Sequence, residues 1–223
     1  MQRVIFLILP SLEILDLAGP LQAFHEANLC GADYDVLLCS PASSIQTEQG
    51  LRLTDLQPLC EIAQSDLVII PGVRFAELNR ASQGIIKWLC DAFARGAQIS
   101  SVCTGAFVLG YAGLLDGRQC TTHWSRIEEL QRQFPKAKVI TNRLFVDDGQ
   151  ITTSAGIASG IDLTLSLIER RHGPQLTAAV AREMVIYLRR DGSHKQDSVY
   201  LDYRTHLHPG VHRVQDALTS QPE

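Results

Sequence analysis

ISSVCTGAFVL, running from Ile99 to Leu109, decides the fold. An apolar strand ends at Val102, a tight turn carries Cys103, Thr104 and Gly105, and an apolar helix begins. A strand that turns sharply into a helix on a nucleophilic residue forms a nucleophile elbow, here with cysteine in the nucleophile position. The first turn of a helix leaves N–H groups unpaired and carries a partial positive charge, and both favour a thiolate over a thiol. A lowered Cys103 pKa is therefore expected, with faster iodoacetamide alkylation near neutral pH than at the other cysteines. Gly105 has no Cβ, so the helix can approach the sheet closely. The turn would expose Sγ to a pocket at the carboxyl edge of the sheet, where open α/β folds hold their ligands. A buried small residue is the competing reading for any cysteine; it suits the other five better than Cys103.

On both sides of the elbow, short apolar runs alternate with helix-length segments. Strands are expected at Val4–Leu9, Tyr34–Ser40, Leu67–Ile70 and Ile99–Val102, with Pro71-Gly72 stopping the third. Helices are expected from about Leu15 to Asn28, from Ser82 to Arg95 and from Thr104 onward. A polar helix spans Ser125 to Phe134, stopped by Pro135. Asp148-Gly149 joins Leu144–Val146 to Gln150–Thr153 as a hairpin. Two long helices, Ala158–Arg171 and Gln175–Arg189, flank Gly173-Pro174. Strands alternating with helices predict an α/β fold, a mostly parallel sheet with helices on both faces, with the hairpin adding an antiparallel strand.

The chain has 223 residues, 45% hydrophobic and 20% charged, which suits a globular fold and excludes a disordered one. Twenty basic and 24 acidic residues give a net charge of −4. A free-standing nucleic-acid binder is usually basic, so this chain alone is not expected to bind DNA, which does not exclude DNA binding by a part of the protein outside it. No run is long enough to span a bilayer, and Val4–Leu9 is too short for a signal-peptide core, so a cytoplasmic protein is expected. The six cysteines form no C-x-x-C pair, so no metal site and no cofactor are expected.

The tail changes character. Arg189–Lys195 is polar and basic, and Tyr200–His212 holds His206, His208 and His212, read as a solvated helix start rather than a metal cluster. Pro209 is placed to begin a helix, with Val211, Val214 and Leu218 at helical spacing.

Several motifs occur together: Leu15-Asp16-Leu17-Ala18-Gly19-Pro20, Val68-Ile69-Ile70-Pro71-Gly72, Cys103-Thr104-Gly105-Ala106-Phe107, Ala112-Gly113-Leu114-Leu115-Asp116-Gly117, Thr121-Thr122-His123-Trp124, Thr153-Ser154-Ala155-Gly156 and Ser159-Gly160-Ile161-Asp162. Together they resemble the ThiJ/PfpI superfamily from Arg3 to about Leu188. The resemblance implies a flavodoxin-like, class I glutamine-amidotransferase-like fold. Two groups share the motifs: isocyanide hydratases, and the N-terminal domains of GlxA-type regulators of the AraC/XylS family. The tail looks like the segment that joins such sensor domains to a helix-turn-helix pair. Residues 1–190 would then form the sensor domain, and 191–223 a tail and linker toward a DNA-binding domain absent from this chain.

By the same resemblance, a small-molecule effector would sit among Asp16, Gly19, Gly72, Val73, Cys103, Thr104, Gly105, His123 and Gly156, and the protein would form a homodimer. The alternative is an enzyme in which Cys103, Asp16 and Thr104 are the catalytic set. Cys103 would attack an isocyanide carbon and Asp16 would hold a proton to donate to the thiolate. Two departures bear on the substrate. Val73 replaces a second glycine that often follows Pro-Gly, although its N–H could still face the pocket, and Cys120 stands where a small non-thiol residue is common. His123 reads equally as a structural group beside Trp124 and as a pocket residue.

Overall fold

A computed structural model describes residues 1–74, 83–196 and 208–220. In chain order the elements are β1 (Gln2–Leu7), α1 (Ile14–Leu29), β2 (Tyr34–Cys39), β3 (Ile45–Gln46), β4 (Arg52–Leu53), β5 (Leu67–Ile70), α2 (Gln83–Ala94) and β6 (Gln98–Val102). They continue with α3 (Gly105–Tyr111), β7 (Gln119–Cys120), a 3-10 turn (Trp124–Arg126), α4 (Ile127–Gln133), β8 (Lys138–Val139), β9 (Phe145–Asp148), β10 (Ile151–Ser154), α5 (Ala158–Glu183) and α6 (Pro209–Ser220). Ser82 and most of Tyr200–His212, including His206, lie outside the described residues.

The main sheet has the order β2-β1-β5-β6-β10-β9. Every pairing in it is parallel except β10 with β9, which is antiparallel. The expected α/β architecture is therefore present, and the Asp148-Gly149 hairpin supplies its antiparallel edge. Gly149, at φ 68°, takes the left-handed turn position that a side chain would disfavour. Strands covered on both faces need apolar residues at every position rather than alternating ones. Val4 to Ile8, Leu67 to Ile70 and Ile99 to Val102 are accordingly buried throughout. Two short pairs, β3 with β4 and β7 with β8, are additions that the apolar pattern did not signal.

Glycines set the close approaches. A Cβ on Gly105 would lie 2.3 Å from the Ile70 carbonyl oxygen, so only glycine lets α3 start directly over β5. A Cβ on Gly19 would meet Ile161 Cγ1 at 2.8 Å, so Gly19 serves the packing of α1 on α5.

Helix α5 bends at Gly173, where φ is 81° and ψ 173°, and continues through Pro174. It ends at Glu183 rather than at the expected Arg189. Val185 adopts a left-handed φ of 53°, and Ile186 N–H donates back to the Ala181 carbonyl at 2.9 Å. This reversal sends the chain back along α5, where Arg189 pairs with Glu169 at 2.7 Å and Arg190 with Asp162 at 2.6 Å. The following residues lie on the sheet edge: Leu144 N–H donates to the His194 carbonyl, and Arg143 donates to the Ser193 carbonyl. Helix α6 starts at Pro209 as expected, and His208 Nδ1 accepts from Gly210 N–H at 3.2 Å as a helix cap.

Candidate functional site

The elbow has the geometry its sequence implies. Strand β6 ends at Val102, Cys103 takes a left-handed φ of 55°, and α3 begins at Gly105. A non-glycine residue there is strained and persists only because its surroundings fix it. Cys103 N–H donates to the Ser154 carbonyl at 3.0 Å, and the Cys103 carbonyl accepts from Thr122 Oγ1 at 2.8 Å. Two glycines leave room beside it. A Cβ on Gly156 would stand 2.4 Å from Cys103 Cβ and 2.8 Å from Sγ. One on Gly72 would stand 2.9 Å from Cys103 Cβ and 2.2 Å from Asp16 Oδ2.

Cys103 is 7% exposed, and it lines a cavity of about 270 Å³ together with Val73, Thr104 and His123. Asp16, Gly72 and Gly156 stand behind the thiol rather than on the cavity wall. Gly19 and Gly105 take the packing positions described above. The rest of the wall was not singled out as site residues from the sequence: Glu13, Arg74, Ser125, Arg126 and Ile157. None sits in a distinctive motif, and only the folded chain brings them together. Ile157 combines a φ of 48° with a ψ of −109°, a backbone conformation that a β-branched residue rarely adopts. No local sequence signal announces it.

Asp16 is fully buried at the start of α1. Its Oδ1 accepts from Ile157 N–H at 2.6 Å and its Oδ2 from Gly72 N–H at 3.1 Å. Burial pushes its carboxyl up to about 6, against the opposing pull of those two N–H groups. Cys103 is also pushed well above the ordinary thiol range, first by burial and then by the Asp16 carboxylate, although the Thr104 N–H works the other way. The expected lowering by the helix start is therefore overturned. Desolvation of the thiolate and a neighbouring negative charge outweigh the pull of one short helix. Faster alkylation of Cys103 near neutral pH is no longer expected. The two groups are hydrogen-bonded and both are pushed up, so burial and mutual repulsion disfavour a second negative charge in the pair.

Thr104 and Val73 satisfy each other. Thr104 Oγ1 donates to the Val73 carbonyl at 2.7 Å and accepts from Val73 N–H at 2.9 Å. The expectation that the Val73 N–H faces the pocket is corrected by this bond. With Gly72 N–H held by Asp16, both N–H groups of this loop are engaged, and neither is left to stabilise an oxyanion. His123 takes both roles left open for it. Its Nδ1 lies 2.9 Å from Ser125 Oγ and accepts from Ser125 N–H, capping the 3-10 turn, while its ring lines the cavity. Burial, with Arg126 nearby, lowers its pKa.

A mostly parallel α/β sheet with a strained cysteine elbow, a buried carboxylate behind the sulfur and a small cavity in front defines a recognisable class. The chain matches the model of the DJ-1/PfpI family over residues 2–170, and it belongs to that family. Relatives include the HTH-type transcriptional regulator CdhR of Pseudomonas aeruginosa, 32% identical over 183 residues, 81% of this chain and 54% of that protein. Isonitrile hydratase of Pseudomonas putida is 29% identical over 178 residues, 75% of this chain and 71% of that protein. Among solved structures, an AraC family transcriptional regulator from Pseudomonas putida superposes with a TM-score of 0.71 at 23% identity, covering 82% of this chain and all of that one. The chain spans about half the length of the curated regulator it matches. Among the described residues no helix is long and apolar enough to cross a membrane.

Proposed function

We propose that this chain is the effector-sensing and dimerising part of an AraC-family transcriptional regulator, and that a small metabolite binds reversibly in the Cys103 cavity. The observation that carries this reading is the wall of that cavity. Arg126 and Glu13, with Arg74 paired to Glu48 at 3.6 Å, give it charges of both signs around about 270 Å³, which suits a small charge-bearing metabolite better than a neutral apolar one. A thiol held protonated, with the Gly72 and Val73 N–H groups already bonded, favours recognition over covalent turnover. Similarity to transcriptional regulators supports the same reading. Effector binding would shift a two-state equilibrium only through different affinity for the two states. DNA would be contacted by a C-terminal domain outside this chain, and a two-fold dimer would match two half-sites.

A second reading has its own observation. Asp16, raised to about 6 and hydrogen-bonded to the Cys103 thiol, would help with proton transfer in an isocyanide-hydratase-like addition. Thr104 would contribute by fixing Val73 rather than by touching substrate. The two readings separate on incubation with an alkyl isocyanide. The sensor reading expects no formamide, and formamide that disappears in Cys103→Ala would establish the enzyme. Reading the coding sequence beyond Glu223 is the complementary test, with two helix-turn-helix patterns expected within roughly a hundred further residues.

A further inference from the structure

The segment after α5 is fastened to the site by one side chain. Gln196 Nε2 is within hydrogen-bonding distance of the Arg143 carbonyl at 2.9 Å, the Thr122 carbonyl at 3.1 Å and Thr121 Oγ1 at 3.4 Å. Gln196 N–H donates to Asn142 Oδ1 at 2.8 Å. The loop it holds carries the site. Thr122 Oγ1 bonds the Cys103 carbonyl at 2.8 Å, Thr121 N–H donates to Thr153 Oγ1 at 2.7 Å beside the end of β10, and His123 lines the cavity. A continuous chain of bonds thus runs from Gln196 through Thr122 to the backbone of the strained cysteine. Upstream, the same strap is pinned by Arg190 on Asp162, whose side chain is 6% exposed, and by Arg189 on Glu169.

We infer that residues 189–196 form a strap whose docking is coupled to the state of the Cys103 cavity, with Gln196 as the positioning residue that links them. This deepens the sensing proposal and rests on it, because a coupling of this kind is what an effector would use. Docking of Gln196 holds the 121–123 loop down and, through Thr122, holds Cys103 in its left-handed conformation. Anything that fills the cavity and displaces His123 works against the same bonds. Linkage requires the effect to run both ways: release of the strap changes access to Sγ, and occupation of the cavity changes strap docking.

The test uses the whole chain and iodoacetamide as the probe, at mildly alkaline pH, with all six thiols followed by mass spectrometry. Gln196→Ala and Gln196→Glu remove the side-chain donor, and Lys195→Ala is an exposed neighbour that serves as control. In both Gln196 variants, Cys103 alkylation relative to the other five thiols is expected to rise roughly fivefold to tenfold, the factor for losing about one net hydrogen bond. Amide exchange across residues 119–126 should rise with it, and Lys195→Ala should change neither. Conversely, alkylated wild-type protein should be cleaved by trypsin after Arg189, Arg190 or Lys195 faster than unmodified protein. Unchanged relative alkylation, or faster exchange without faster Cys103 alkylation, would overturn the coupling while leaving the cavity as a binding site. A rise shared equally by all six thiols would mark general unfolding and overturn it as well. If the coupling appears but no metabolite binds, the strap stands and the sensing proposal fails.

Discussion

Asp16 Oδ1 accepts a 2.6 Å hydrogen bond from the backbone N–H of Ile157, a residue 141 positions further along the chain. That bond ties the start of α1 to the strained turn before α5. The same carboxylate ties the end of β5 through Gly72 N–H and abuts the Cys103 thiol. One buried acid therefore organises three crossings of the sheet edge, and its proton decides the charge beside the sulfur.

That acid gives stability a pH dependence of unusual sign. A folded pKa raised above the ordinary value means the folded state binds more protons than the unfolded one between the two. The group's contribution is therefore full at low pH and is lost as pH rises. Between 3.8 and about 6 the loss is on the order of 3 kcal/mol. Urea unfolding from acid to neutral pH should show this decline in wild type relative to Asp16→Asn, whose slope lacks it. Parallel curves for the two proteins would mean that Asp16 is not raised.

Charge at Asp16 also governs the thiol. In Asp16→Asn the repulsion that holds the Cys103 proton in place is gone, so its pKa falls. Alkylation at neutral pH should then rise severalfold to about tenfold. The measurement is the iodoacetamide rate against pH. An unchanged profile would place the whole elevation in burial.

Gly156 should not tolerate a methyl group. Its φ of 113° disfavours any side chain, and a Cβ would fall 2.4 Å from Cys103 Cβ. Gly156→Ala is expected to cost about 2–4 kcal/mol in denaturant unfolding. A cost under about 1 kcal/mol would mean that the turn relaxes away from the cysteine.

Ile157 carries its conformation at a cost that glycine would not bear. Ile157→Gly should be more stable than Ile157→Ala by about 1 kcal/mol, because both lose the partly exposed side chain but only alanine retains the strained φ of 48°. Equal stabilities would show an unstrained turn.

The sequence made the elbow legible because strand, turn and helix are local: Val102, Cys103 and Gly105 need no distant partner to declare themselves. Strand positions followed from apolar runs, and the hairpin from Asp148-Gly149. What escaped was tertiary. Helix α5 is shorter than its sequence pattern predicts because Val185 reverses the chain at a residue type that favours extension, and only the pairing of Arg189 and Arg190 with α5 shows why. The direction of the Cys103 shift is not legible in the sequence, because a helix start is visible there and burial is not. Arg126, Glu13 and Ile157 reach the cavity from three separate segments, and Gln196 contacts the 121–123 loop from a stretch that reads as linker.

Reversible recognition of a charge-bearing metabolite at the Cys103 cavity can be read from thermal unfolding of wild type, Cys103→Ala and Arg126→Glu against a panel of small amines, amino acids and carboxylates. At a hundredfold excess over Kd, binding contributes about 2.7 kcal/mol, which raises Tm by roughly 5–10 °C for a chain of this size. At least one compound should give a saturable rise, kept in Cys103→Ala and lost in Arg126→Glu. No rise for any compound, or a rise that Arg126→Glu leaves untouched, would rule out recognition of a charged metabolite at this wall.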